Sequence, residues 1–163
     1  MMNKTSISRR TLVAAALGLG VAPAFAQVKS ASPLDIEVWK DPNCGCCQDW
    51  VKHLEDNGFS VRVNESGNNA ARKRLGVDPK FGSCHTGLVG GYAIEGHVPA
   101  QDIKRLLKEK PSAVGLAVPG MPVGSPGMDG PAYDNRKAPY DVLLLTQGGG
   151  SKVFQRYQGN AKA

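Results

Sequence analysis

Apolar and polar residues alternate through Leu34-Asp35-Ile36-Glu37-Val38-Trp39, the period-two pattern of a strand. Asp41-Pro42-Asn43 then turns the chain. From Cys46 to Asn57 the period changes: Cys47, Trp50, Val51 and Leu54 fall at i, i+3, i+4 and i+7, the buried stripe of a helix that Gly58 terminates. Phe59, Val61 and Val63 give the next strand, which completes a βαβ unit in about thirty residues.

Asn69 to Leu75 reads as a short basic helix ended by Val77-Asp78-Pro79. Thr86 to Val89 and Tyr92 to Glu95 form a hairpin across Gly90-Gly91. Pro99 is placed as the first residue of a helix whose stripe is Ile103, Leu106 and Leu107 and which Pro111 stops. Ala113 to Val118 is a further strand, and Tyr140–Leu145 and Lys152–Tyr157 form a second hairpin through Gly148-Gly149-Gly150. Between them, residues 119–138 are rich in Pro and Gly and lack periodicity, a length of irregular chain expected to have a task of its own. The expectation is one α/β domain with a mixed sheet and no internal repeat.

The N-terminus adds a destination. Met1 to Arg10 is basic, Leu12 to Val21 is a short apolar run, and Ala24-Phe25-Ala26 is a small-x-small cleavage signal. Residues 1–26 therefore read as a secretory signal peptide and residues 27–163 as the working domain. Ser8-Arg9-Arg10-Thr11-Leu12-Val13 also resembles a twin-arginine signal, and both export routes stay open. The apolar run is too short to span a membrane. A soluble, exported, periplasmic protein is expected.

Export also changes the charge. Loss of Lys4, Arg9 and Arg10 with the signal takes the formal net charge from +6 to +3, too small to argue for nucleic-acid binding. Arg72-Lys73-Arg74 is read as a solvated helix face. The glycine triplet lacks the Lys and the helix of a phosphate loop.

The candidate chemistry lies in four cysteines, Cys44, Cys46, Cys47 and Cys84. In an oxidising compartment four cysteines ordinarily mean two disulfides. Crowding three of them into Cys44-Gly45-Cys46-Cys47 staples little, because the entropy a disulfide removes grows with the loop it closes. Cys44 and Cys47 make a C-x-x-C at a helix start, where unpaired N–H groups favour thiolate for disulfide exchange or for metal. Cys46 would interfere with a clean redox pair but adds a soft donor, and Cys84 lies just ahead of a predicted strand.

Thiolates select Cu(I) and Zn(II). Four thiolates around one Zn(II) keep a charge of about −2, whereas around about four Cu(I) ions they are neutral and bury at lower cost. The usual four-cysteine zinc site also has two separated C-x-x-C knuckles, and this chain has one. Met121 and Met128 in the long loop are secondary thioether candidates, although a loop methionine more often caps an apolar patch. His85, beside Cys84, is the best placed accessory ligand. His97 either reaches the site or caps the turn ahead of Pro99, and His53, roughly 10 Å along the helix from Cys46, is read as a surface residue.

Asp41-Pro42-Asn43-Cys44-Gly45-Cys46-Cys47, Ser83-Cys84-His85-Thr86, Ile94-Glu95-Gly96-His97-Val98-Pro99-Ala100 and the segment Gly115 to Met128 together resemble the CopG-like copper-resistance family. These are exported thioredoxin-like proteins, also catalogued as a domain of unknown function and distinct from the DNA-binding repressor of the same name. The resemblance implies a thioredoxin-like fold, a copper cluster held by Cys44, Cys46, Cys47 and Cys84, and copper handling in the periplasm. It also implies cycling between Cu(I) and Cu(II), with other periplasmic copper-handling or electron-transfer proteins as partners. Ser83-Cys84-His85 stands where thioredoxin-like oxidoreductases carry a cis-proline, so a soft donor replaces the substrate-docking residue. A thiol–disulfide oxidoreductase using Cys44 and Cys47 is the alternative, and a structural zinc or disulfide role the third.

Overall fold

The computed structural model describes residues 34–160, so the signal-peptide reading of residues 1–26 lies outside the described residues. β1 (Asp35–Lys40), α1 (Gly45–Asp56) and β2 (Ser60–Asn64) form the expected unit, with β1 and β2 parallel. α2 (Asn69–Arg74) and a 3-10 turn at Pro79–Phe81 lead to the hairpin of β3 (His85–Val89) and β4 (Tyr92–Glu95). After them come α3 (Ala100–Glu109), β5 (Gly115–Ala117), a 3-10 turn at Pro131–Tyr133, β6 (Tyr140–Leu145) and β7 (Ser151–Tyr157).

The strands build one mixed sheet in the order β2-β1-β3-β4-β5-β6-β7. Side-chain alternation divides the core between its two faces. Ile94, Leu116 and Leu144 join Ile36, Val38, Trp50, Leu54, Ile103 and Leu106 in the larger cluster, which α1 and α3 cover. Their neighbours Ala93, Ala117 and Leu145 point the other way, onto Val77 and Phe81. No helix among the described residues is long and apolar enough to cross a membrane.

Some details differ from the sequence reading. Pro99 is the N-cap of α3 rather than its first helical residue, and β5 is three residues rather than six. A proline N-cap has no side-chain acceptor for the unpaired N–H groups of the first turn. His53 fills that need from α1: its Nε2 accepts the Ala100 N–H at 3.1 Å, and the ring is half-buried, not a surface residue.

The pairing directions gather the chemistry at one end of the sheet. Lys40, the last residue of β1, pairs with His85, the first of β3, and Thr86 pairs with Glu95, the last of β4. β5 runs parallel to β4, with Ala117 beside Glu95. Hence the turn carrying Cys44, the approach to β3 carrying Cys84, the exit from β4 carrying His97, and the start of the long loop all emerge together.

Candidate metal centre

Cys44 is the N-cap of α1, and Cys46 and Cys47 lie in its first turn. The turn before it is held by Lys40, whose side chain is buried and whose Nζ donates to the carbonyls of Asp41 at 3.0 Å and Pro42 at 3.4 Å. The four sulfurs all lie within 4.8 Å of one another. Cys46 Sγ is 3.5 Å from Cys44 Sγ and 4.0 Å from Cys84 Sγ, while Cys47 Sγ is 3.7 Å from the Cys84 carbonyl oxygen. Cys44 and Cys47 are joined as a disulfide, and Cys46 and Cys84 are free thiols. Burial, and then the neighbouring Cys46 sulfur, push the Cys84 thiol up to about 12, so in this state it holds its proton at neutral pH.

Two histidines complete the surroundings of Cys84. His97 is fully buried, its Nε2 3.1 Å from Cys84 Sγ and its Nδ1 2.8 Å from the Pro126 carbonyl oxygen. A carbonyl only accepts, so Nδ1 carries the ring proton and Nε2 turns a lone pair toward the sulfur. His85 lies with Nδ1 3.4 Å from the same sulfur, tilted over Trp50 at 4.1 Å between ring centroids and edge-on to His97 at 4.9 Å. His97, left between two roles by the sequence, therefore reaches the site, alongside His85.

Burial holds both rings neutral, with the pKa of His85 well below the ordinary 6.5 and that of His97 also lowered. The unfolded chain takes up protons below pH 6.5 that the folded one refuses, so stability is lost as pH falls through that value. His85 alone contributes a slope that steepens toward about 1.4 kcal/mol per pH unit once the pH is well below 6.5. Glu95 and Asp102, raised by burial, act in the opposite sense nearer the carboxylate range. Urea unfolding of the metal-free chain should therefore show a falling midpoint between about pH 7 and about pH 5.5. A midpoint that holds or rises over that range contradicts the neutral, buried histidines.

The loop that supplied the methionine candidates closes over this end of the sheet. Gly120 N–H donates to the Gly82 carbonyl, Ser83 Oγ donates to the Gly120 carbonyl, and Ser125, Pro126 and Gly127 are buried. Gly127 has φ +80°, and a Cβ there would lie 2.5 Å from the Cys46 carbonyl oxygen and 2.8 Å from the Trp50 nitrogen. Gly127→Ala should thus cost about 1–3 kcal/mol by prying loop from helix, read as a lower urea midpoint. An unchanged midpoint would show the contact to be slack. Met128 is partly buried and its Sδ accepts from the Tyr133 hydroxyl at 3.4 Å, whereas Met121 is 51% exposed.

A network absent from the sequence reading fixes the backbone beside Cys84. Glu95 is wholly buried and accepts from the Ser83 N–H at 2.7 Å, Thr86 Oγ1 at 2.6 Å and Arg72 Nε at 2.9 Å. Arg72 Nη2 also donates to the Ser83 carbonyl, so the pair grips both polar groups of the residue before Cys84. Arg72 was assigned to a solvated face together with Lys73 and Arg74; its side chain is instead 14% exposed and turned inward. Its partner was hidden at the end of an otherwise apolar strand. The signal available was Glu95 itself, a charge at a core-strand position that has to be paired.

Comparison with known proteins bears on this geometry. A solved structure named copper resistance protein copG, form 1, is 50% identical over 78% of this chain and 100% of its own, with a TM-score of 0.72. The chain belongs to the CopG-like copper-resistance family. A second CopG structure, form 2, is 51% identical over 77% of this chain and 99% of its own, with a TM-score of 0.70. The family profile described as a protein of unknown function, DUF411, matches residues 81–128, the stretch that carries Cys84, His85, His97, Met121 and Met128. No curated protein matches.

Proposed function

We propose that the chain is a periplasmic copper-resistance protein whose reduced Cys44, Cys46, Cys47 and Cys84 hold Cu(I) as a polynuclear thiolate cluster. The observation that carries this reading is the convergence of four sulfurs, from two separate segments, within 4.8 Å at the start of α1. Sulfur–sulfur separations of 3.5 and 4.0 Å suit thiolates that share metal ions at metal–sulfur distances of about 2.3 Å. Exchange of the Cys44–Cys47 disulfide with an external dithiol, which gives up two electrons and two protons and is left as a disulfide, frees the two remaining donors. The name of the CopG relatives supplies the metal, and the soft donor set agrees with it.

Around this core, His85, Met121 and Met128 are accessory donors, and exchange with periplasmic electron carriers lets the copper pass between Cu(I) and Cu(II). The first four strands, in the order β2-β1-β3-β4 with the cysteines at the β1–α1 turn, serve as a thioredoxin-like frame. Export by the signal at residues 1–26 delivers the chain to the compartment where this chemistry is needed.

The disulfide favours one other reading, a thiol–disulfide oxidoreductase working through Cys44 and Cys47. Cys46→Ser separates the two. The copper reading expects fewer Cu(I) ions per chain by mass and no reduction of insulin disulfides by the parent protein. Reduction of insulin that survives Cys46→Ser, with copper content unchanged, would establish the oxidoreductase instead.

A further inference from the structure

We propose that Lys40 is a positioning residue for the copper centre, whose buried ammonium holds the cysteine turn and biases bound copper toward Cu(I) over Cu(II). This rests on the copper reading above and assigns a task to a charge outside the ligand set. Lys40 ends β1 with its side chain only 2% exposed, although a lysine is almost never fully buried unless it is paired. Its pairing here is incomplete. The ion-pair partner, Glu65, lies 3.5 Å away and is itself 58% exposed, so water screens that carboxylate far more than it screens the ammonium. The Asp41 carboxylate is exposed and accepts from the Asn43 N–H at 2.8 Å.

The remaining contacts lead toward the sulfurs. Nζ donates to the carbonyls of Asp41 at 3.0 Å and Pro42 at 3.4 Å, and the same Asp41 carbonyl accepts from the Cys44 N–H at 3.2 Å. One carbonyl oxygen thus joins the ammonium to the amide of the first cysteine. Across the sheet Lys40 pairs with His85, the residue after Cys84. Lys40 therefore stands between the two segments that bring sulfur to the site. Its field reaches them: after burial and the neighbouring His97, the Lys40 charge also favours the neutral form of the His85 ring.

Carbonyl dipoles solvate a charge without cancelling it, so net positive charge remains beside the turn. In a low-dielectric interior such a charge acts more strongly on its neighbours than it would in water. Oxidation of one bound Cu(I) to Cu(II) passes one electron to an external one-electron carrier and leaves the centre one charge more positive. A fixed cation opposes that step and favours the reduced ion. Holding the turn asks only for donors to two carbonyls, which a neutral amide supplies; burying a full charge for that purpose is the costlier choice.

The test is the copper midpoint potential of the full-length chain, reduced, loaded anaerobically with Cu(I) and poised stepwise with one-electron mediators at low ionic strength. Cu(II) is read by electron paramagnetic resonance, and copper content is measured on the same samples. Lys40→Gln keeps an amide donor for the turn and removes the charge. At unchanged copper content it should raise the Cu(II)/Cu(I) ratio at fixed potential about tenfold, a fall of about 59 mV in a one-electron midpoint, while Lys40→Arg stays within about twofold of wild type. Glu65→Gln, at an exposed position, should move the midpoint the other way by leaving the ammonium without its counter-charge. An unchanged midpoint in copper-loaded Lys40→Gln overturns the proposal. So does an equal fall in Lys40→Gln and Lys40→Arg, which would leave Lys40 a purely structural role. If Lys40→Gln does not fold, a Glu65→Gln midpoint that holds or falls overturns it. Copper that stays Cu(I) at every potential also overturns it and leaves the cluster standing, whereas a wild-type chain that binds no copper overturns the cluster reading itself.

Discussion

Replacing Cys84 by serine should collapse copper binding, lowering Cu(I) affinity by at least about 100-fold, beyond the 10–100-fold range that changes to a ligand's supporting partners produce. Cys44, Cys46 and Cys47 belong to a single turn of chain, and a set confined to one turn leaves an open face. Cys84 closes it from 38 residues away, its sulfur 4.0 Å from Cys46 and within hydrogen-bonding reach of both buried histidines. Serine keeps the volume and a hydroxyl for His97 while removing the soft donor, so the variant should fold. Competition of the reduced chain against a Cu(I) chelator, together with cluster luminescence, measures the effect. Unaltered stoichiometry and affinity would remove Cys84 from the centre and leave the C-x-C-C turn to act alone.

The second large effect belongs to a residue that touches no metal. Glu95→Ala should destabilise the metal-free chain by about 3–5 kcal/mol, the usual cost of removing one partner of a buried ion pair. It strips Arg72, 14% exposed, of its counter-charge and leaves the Ser83 N–H and the Thr86 hydroxyl without their acceptor. Glu95→Gln retains an oxygen for the neutral donors and should cost less. Because the clamp holds the peptide unit before Cys84, copper affinity should fall with stability in the alanine variant. Urea unfolding provides the measurement. A loss below about 1 kcal/mol would mean that Arg72 finds another partner and that Ser83 does not depend on the clamp.

Periodicity made most of the sheet legible. The stripe Cys47, Trp50, Val51, Leu54 and the alternation of β1 are local signals, and both hairpins are punctuated by glycine. What the sequence did not reveal depended on partners distant in the chain. Arg72 looked solvated because its neighbours Lys73 and Arg74 are charged, and only the fold brings β4 beside it. His53 looked like a surface residue, and its use as a cap for α3 depends on Pro99 lacking a side-chain acceptor. His97 could not be assigned because its role is set by the Pro126 carbonyl in an aperiodic loop. Cys44, Cys46 and Cys47 were recognisable as a set from their crowding, and the register of Lys40 with His85 is what brings Cys84 to them.

The central claim is that these sulfurs bind several Cu(I) ions together. Anaerobic titration of reduced, metal-free protein with Cu(I), followed by luminescence and intact mass with Zn(II) as the control, tests it most directly. The account predicts several Cu(I) per chain, taken up in preference to zinc and with cluster luminescence. A single zinc ion, or no metal at all, would contradict it and return Cys44 and Cys47 to disulfide chemistry.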